Sequence, residues 1–233
     1  MTKKTANTRK KNGAGHTHAA YMGIRKMLFH NEIAPGQKIS YRDLADRLGM
    51  SQTPIIQALK WLEFQQLVCH VPNRGYYTAQ ISLREVEEIY DFREMIELSL
   101  LMKTMNGLND AAISKLECAL NAHIAATREV YLYDRLVKDM EFHLTLASLA
   151  GCRVQEKALQ NLFDLLYLKY GGSILFSTSM ELAASNHRAL FEHIRSKSSE
   201  KAGMILAGHI HEVKKHVLKG LTRNIEEKKL STV

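Results

Sequence analysis

All three prolines of this 233-residue chain, Pro35, Pro54 and Pro72, fall in its first third, and none follows. Proline removes a helix-ladder donor and clashes with the preceding turn, so a long proline-free stretch patterned at three- and four-residue spacing predicts an all-helical domain. Charge divides the chain at the same place. Residues 1–80 carry twelve Lys/Arg against four Asp/Glu, which is the whole formal surplus of +8, and residues 81–233 are balanced. A basic head on a neutral helical body is the electrostatic footprint of a nucleic-acid binder with a separate sensing or assembly domain. A basic membrane-surface module is the alternative. The expected organisation is a disordered basic tail over 1–15, a head over 16–80, a helical domain over 81–220 and a short tail over 221–233. Cys69, Cys118 and Cys152 are odd in number and form no spaced motif, which points to a reducing cytoplasm rather than a disulfide framework. No apolar stretch approaches the length of a membrane span.

In the body, six helices are predicted at about 83–105, 110–128, 131–150, 153–170, 179–197 and 199–219, broken at Asn106-Gly107, Gly151 and Gly171-Gly172. Three of them carry polar groups where apolar ones belong. Asp139 and His143 interleave with Leu132, Leu136, Met140, Leu146 and Ala147; His187 lies among Met180, Ala183, Leu190, Phe191 and Ile194; His209 lies among Ala202, Ile205, Leu206, Val213 and Val217. A buried polar group without a partner costs roughly 1–3 kcal/mol, so these four demand partners. Periodicity leaves two readings open: one metal site of three imidazoles and a carboxylate, or an Asp139–His143 pair beside separately satisfied histidines. Imidazole suits Zn, Ni, Cu and Fe, and a carboxylate oxygen also admits Mn. His193 falls off its stripe, and His123, His211 and His216 lack equally placed partners, so all four are expected at the surface or the rim.

In the head, Ala20, Ile24, Met27 and Leu28 predict a first helix over 18–30, ended by the Pro35-Gly36 turn. Ser40 with Asp43 reads as a helix cap and Gly49 as a stop; Ser51 reads as the cap of a further helix with Ile55, Ala58, Leu59 and Leu62 inward. "LVCHV" and "YYTAQ" around "PNRG" read as a hairpin. The order is that of a winged helix-turn-helix.

The segment "LADRLGMSQTPIIQALKWLEFQQLVCHVPNRGYY" resembles the GntR family of bacterial transcription regulators. That resemblance implies DNA contacts at Arg42, Ser51, Gln52, Thr53, Gln57, Arg74 and Gly75, the last two at the wing tip. The chain departs from the family pattern where Gln52 replaces the usual Arg, where Ile56-Gln57 replaces Arg-Glu, and where Gln66 replaces Gly. Arg reads guanine through two hydrogen bonds whereas Gln suits adenine, so a different operator is expected.

"VEEIYDFREMIELSLLMKTM", "DMEFHLTLASLAG", "NHRALFEHI" and "KAGMILAGHI" resemble the FCD effector domain of the FadR-type branch of that family. The resemblance implies a metal held by Asp139, His143, His187 and His209, with Zn, Ni or Mn the candidates. It also implies an effector-binding Arg93, able to meet the carboxylate of a small organic acid through a two-pronged hydrogen bond. An ion pair with Glu97, one helical turn on, is the other reading of Arg93 and is compatible with it. The expected protein is a mostly α, cytoplasmic, homodimeric regulator of operator DNA, with no membrane contact and no catalytic residues. It is expected to act as a repressor. The competing readings are a metalloenzyme and a metal-sensing regulator.

Overall fold

The computed structural model describes residues 4–126, 132–170 and 180–230, and the break predicted at Gly171-Gly172 lies outside them. The chain divides into two compact units, Met1–Ile81 with Tyr167–Gly172, and Ser82–Leu166 with Ser173–Val233.

The first unit holds helices α1 (Lys4–Phe29), α2 (Tyr41–Leu48) and α3 (Gln52–Phe64), then strands β1 (Val68–Val71) and β2 (Gly75–Thr78). Ala20, Ile24, Leu44, Ile55, Ala58, Leu59 and Leu62 form its core. Helix α1 starts at Lys4, well inside the stretch expected as a disordered tail. Its packed C-terminal half supplies the helical nucleus, from which each added residue gains a backbone bond at little further cost. Ser40 caps α2, its hydroxyl accepting from Asp43 N at 3.2 Å, and Gly49 closes that helix in the left-handed region at φ 62°. Ser51 stands at the cap position of α3, but its hydroxyl makes no cap bond. The extended Ser51 backbone alone starts the helix.

The hairpin pairs Val68 with Thr78 and Val71 with Gly75 across a turn in which Asn73 (φ 61°) and Gly75 (φ 96°) take left-handed conformations. Residues before α2 join it as a third short extended segment, Ile39 N donating to Tyr76 O at 2.8 Å and Thr78 N to Gln37 O at 3.0 Å. These bonds fix the wing against the helices.

After α3 the chain reverses through Gln66, a non-glycine residue at φ 61°, with Leu67 N donating back to Leu62 O at 2.9 Å. This is the helix-ending motif that glycine favours, because a Cβ there crowds the following carbonyl at roughly 1–2 kcal/mol. Gln66→Gly should therefore stabilise the first unit by about 0.5–1 kcal/mol, after allowing for glycine's greater freedom in the unfolded chain. Urea unfolding followed by the fluorescence of the sole tryptophan, Trp61 in α3, checks this.

The second unit contains α4 (Leu83–Asn106), α5 (Asp110–Ala126), α6 (Leu132–Leu149), α7 (Arg153–Asp164), α8 (Met180–Arg195) and α9 (Ser199–Leu230). Ser82 caps α4 through Glu85 N at 3.2 Å. Helix α4 packs on α9 and α6, α5 on α6 and α8, and α8 on α9. Buried Thr104 donates to Leu146 O at 3.0 Å and ties α4 to α6; Lys214 reaches Asp91 at 2.6 Å and ties α9 to α4. The helix predicted over 153–170 ends at Asp164 and gives way to a π-helical turn, Leu165–Lys169. From Tyr167 on, this turn belongs with the first unit. Helix α9 runs past the expected stop at 219 to Leu230, since Leu221 continues the buried stripe one turn beyond Val217. Among the described residues no helix is long and apolar enough to cross a membrane.

Candidate metal centre and nucleic-acid interface

Three helices of the second unit send polar side chains to one point. Asp139 and His143 come from α6, one turn apart; His187 comes from α8 and His209 from α9. One ligand atom from each lies within 4.8 Å of all the others. His143, His187 and His209 are at most 2% exposed, while the Asp139 side chain is 16% exposed, which leaves the carboxylate edge as the open side. His187 Nε2 lies 3.1 Å from His143 Nε2 and 3.6 Å from Asp139 Oδ1.

The surrounding bonds decide which atoms face inward. His143 Nδ1 donates to Glu97 Oε2 at 2.5 Å, and a carboxylate only accepts, so the Nε2 lone pair of His143 is left towards the cluster. Glu97 is itself held from the same helix by Arg93, whose Nε donates to Oε1 at 2.6 Å. The guanidinium also lies over the Phe163 ring at 4.4 Å and near Tyr90 at 5.4 Å. The structure thus contains the Arg93–Glu97 pair, with both residues buried. Sequence reasoning assigned Glu97 only to that pair; its bond to His143 comes from α4 and α6 lying side by side, which periodicity does not reveal.

His123 overturns an expectation. Instead of lying at the rim it is 1% exposed, with its Nε2 2.9 Å from His187 Nδ1. The signal was present in α5, where His123 follows buried Leu116 and Leu120 at helical spacing. His211 is exposed and His193 and His216 are partly so, away from the cluster.

Burial favours the neutral form of His187 and His209. Burial pushes His209 down to about 3, aided by its neighbour His143, and holds His187 well below the ordinary histidine value. Burial opposes ionisation of Asp139 and Glu97, yet both are held below the ordinary carboxylate range: Asp139 by the surrounding histidines and Arg93, Glu97 at about 2 by Arg93 and His143. His187 and His209 thus offer ring lone pairs beside the Asp139 carboxylate. Neither ring nitrogen of His209 has a hydrogen-bond partner among the described residues. A fully buried imidazole with no bond is costly, and a cation would take up the lone pair of one of its two nitrogens. The 4.8 Å spread is a little wider than the roughly 4.4 Å that two ligands each about 2.2 Å from one ion can span, so an ion would draw the four atoms slightly inward. The residues fit a metal.

In the first unit, Arg42, Ser51, Gln52, Thr53, Gln57 and Arg74 are exposed and Gly75 is partly so. Gln57 is anchored from α1, its amide oxygen accepting from the buried Thr17 hydroxyl at 2.7 Å. Two open grooves flank α2 and α3: one is lined by His16, Thr17, Ser51, Thr53 and Gln57, the other by Lys38, Tyr41, His70, Arg74 and Gly75.

Comparison with known proteins gives these positions a setting. The model of the FCD domain matches residues 88–212, more than half of the chain, and that of the bacterial regulatory proteins of the gntR family matches residues 17–77. The chain belongs to the GntR family. The uncharacterized HTH-type transcriptional regulator YdhC of Bacillus subtilis is 25% identical to this GntR regulator over 206 residues, spanning 85% of this chain and 90% of YdhC. The HTH-type transcriptional repressor RspR of Escherichia coli is 23% identical over 197 residues, spanning 84% of this chain and 86% of RspR. Among solved structures, E. coli McbR/YncC superposes with a TM-score of 0.75 at 19% identity, covering 88% of this chain and 97% of that one. A putative GntR regulator from Rhodococcus superposes at 0.73, again at 19% identity, covering 88% and 98%. The fold is that of a GntR regulator, with an N-terminal helix-turn-helix and a C-terminal helical domain, and its relatives are transcription regulators rather than enzymes.

The depressed histidines set a pH dependence for the metal-free protein. Unfolded, His187 and His209 titrate near 6.5; folded, they resist protonation, His209 to about 3. Below 6.5 the unfolded chain binds more protons than the folded one, so stability falls as pH falls from 6.5 towards 3. The carboxylates, both held below their ordinary range, lose their stabilising contribution only lower down. The Tm of chelator-treated protein should therefore drop between pH 7.5 and 5.0. A flat profile over that interval would show that the buried rings accept protons within the fold.

Proposed function

We propose that this GntR regulator is a metal-dependent repressor, and that a small organic acid bound at the metal centre releases it from operator DNA. The observation that carries the reading is the convergence of Asp139, His143, His187 and His209 beside a buried arginine. Those four residues would hold one divalent ion, with Zn the first candidate and Ni or Mn the others. Such an ion supplies a Lewis-acid point that accepts a carboxylate oxygen. The chain's own residues do the rest. One carboxylate against a divalent ion leaves a single positive charge, and the Arg93–Glu97 pair cancels itself, so the site would favour a ligand bearing one negative charge. Arg93, held by Glu97 and stacked over Phe163, presents a fixed guanidinium rather than a mobile one, which suits recognition of a planar carboxylate.

A second copy is the proposed partner within the assembly. Phe92, Met95 and Met102 are 47–69% exposed along one side of α4, at the alternating three- and four-residue spacing, completed by Ser99, of a helix-pairing seam. Repression as the direction of control agrees with the name of the E. coli relative RspR. A regulator for which the metal is itself the signal is the competing reading, and the same titration separates the two.

Operator binding should be measured with metal-loaded protein, with chelator-treated protein and against rising concentrations of carboxylic acids. The expected results are release by an acid only when metal is present, and loss of bound metal in His187→Ala. Arg93→Ala would strand the Glu97 charge, whereas Arg93→Lys keeps a cation beside Glu97 while removing the planar fork. Arg93→Lys should need about tenfold or more acid for release, consistent with weakening a charged hydrogen bond by some 1.5–3 kcal/mol, with metal content unchanged. Release by metal alone, indifferent to acids, would establish the metal sensor instead.

The proposed base-reading residues are Gln52, Thr53 and Gln57 on α3 and Arg74 on the wing. Because Thr17 occupies the amide oxygen of Gln57, that side chain offers its NH2 group outward and suits an acceptor on a base or phosphate. Gln52 has no such tether in α3 and is the residue expected to choose between bases. Gln52→Arg should shift the preferred operator towards guanine at one position of each half-site. An operator selection returning the same sequence logo for variant and parent would remove Gln52 from base reading.

A further inference from the structure

His123 is a buried imidazole outside the four-residue cluster, and it meets that cluster at His187. Its Nε2 lies 2.9 Å from His187 Nδ1, and the two rings meet edge to face with centroids 4.4 Å apart. On the other side of the same His187 ring, Nε2 lies 3.1 Å from His143 Nε2 and 3.6 Å from Asp139 Oδ1. His187 therefore has one nitrogen for the cluster and one for His123. A neutral imidazole carries a single proton, so the nitrogen that bonds outward determines what the other can do inward.

We propose that His123 is the positioning residue of His187, accepting the Nδ1 proton so that the Nε2 lone pair faces the metal. The inference rests on the metal reading above. Its chemistry parallels the contact at His143, where Glu97 accepts the Nδ1 proton and leaves Nε2 for the cluster. Outer partners of this kind orient a ligand ring and raise its basicity. The two acceptors differ in strength. Glu97 is a carboxylate braced by Arg93, whereas His123 is a neutral ring whose own Nδ1 has no hydrogen-bond partner among the described residues. Having no brace behind it, His123 is set by packing on α5, and Phe142 holds the other flank of the His187 ring at a centroid distance of 4.6 Å. His209, by contrast, has no outer acceptor among the described residues. The three imidazoles thus form a graded set: His143 bonded to a carboxylate, His187 to an imidazole, and His209 to neither.

The test is the affinity for Zn, measured by competition with a chromogenic chelator on the full chain, for the parent, His187→Ala, His123→Phe and His123→Gln. His123→Phe keeps a flat ring and removes the acceptor, and should weaken Zn binding by about 10–100-fold. His123→Gln restores an acceptor oxygen and should recover most of that loss. A purely structural role would instead lower the Tm of the chelator-treated protein in both variants and leave Zn affinity at the parent value, which overturns the proposal. Should His123→Phe not fold, nitrogen-15 NMR of the Zn-loaded parent decides: His187 protonated at Nδ1 supports the assignment, and His187 protonated at Nε2 overturns it. If the parent binds Zn no better than His187→Ala, the metal reading itself fails.

Discussion

A carboxylate buried at 3% exposure is the constraint on which the second unit depends. Glu97 sits in the interior of a helical bundle, and an ionised group there is tolerated only when its charge is matched and its lone pairs are used. Arg93 supplies the charge from one turn earlier on α4, and His143 supplies the second bond from α6. The result specifies more than it stabilises. It sets the rotation of α4 about its axis, fixes α4 against α6, selects the tautomer of one proposed ligand and stacks the Arg93 guanidinium on Phe163. Removing either partner would leave a buried charge without its match, whereas an apolar replacement of the whole trio would keep the packing and lose the site.

The balance between local and tertiary information explains what the sequence discloses. Helical periodicity and chain breakers carry the element order, because each is encoded within a few turns: the Ser40 cap, the Gly49 stop and the starts of the body's helices lie close to their expected positions. The inward placement of His143, His187 and His209 was legible for the same reason, as a polar side chain on an apolar stripe. His123 obeys the same rule on α5 and was set aside because its partner is on α8, and a contact between helices 64 residues apart leaves no trace in spacing. Ser51 shows the reverse error, since residue type favours a cap bond and the geometry does not form one.

Departures from a family pattern are informative where the backbone makes them costly. Gln66 occupies a left-handed position that glycine would fill more cheaply, so the helix-ending turn survives through the bond from Leu67 to Leu62 and the burial of both side chains. Gln57 is a departure of another kind. Its hydrogen bond with Thr17 joins α1 to α3 across 40 residues, so a side chain proposed to read DNA is also part of the packing that holds its helix. Such dual use restricts which substitutions a change of operator can employ: Gln52 is exposed on α3, whereas replacing Gln57 also removes its bond to Thr17.

The same separation of roles runs through the proposed sensing site. An effector can shift a conformational equilibrium only through interactions that differ between the states, and couplings of this type are typically worth about 1–3 kcal/mol. His143 and His209 are locked in the core, so they are poor places to generate such a difference. Asp139, at 16% exposure the open edge of the cluster, is a better one, because a ligand arriving there alters the solvation of a carboxylate whose charge the surrounding histidines and Arg93 stabilise. Asp139 and His143 lie on α6, and His143 leads through Glu97 to α4. A change at the open edge would thus have a route along α6 and, through one buried hydrogen bond, to α4.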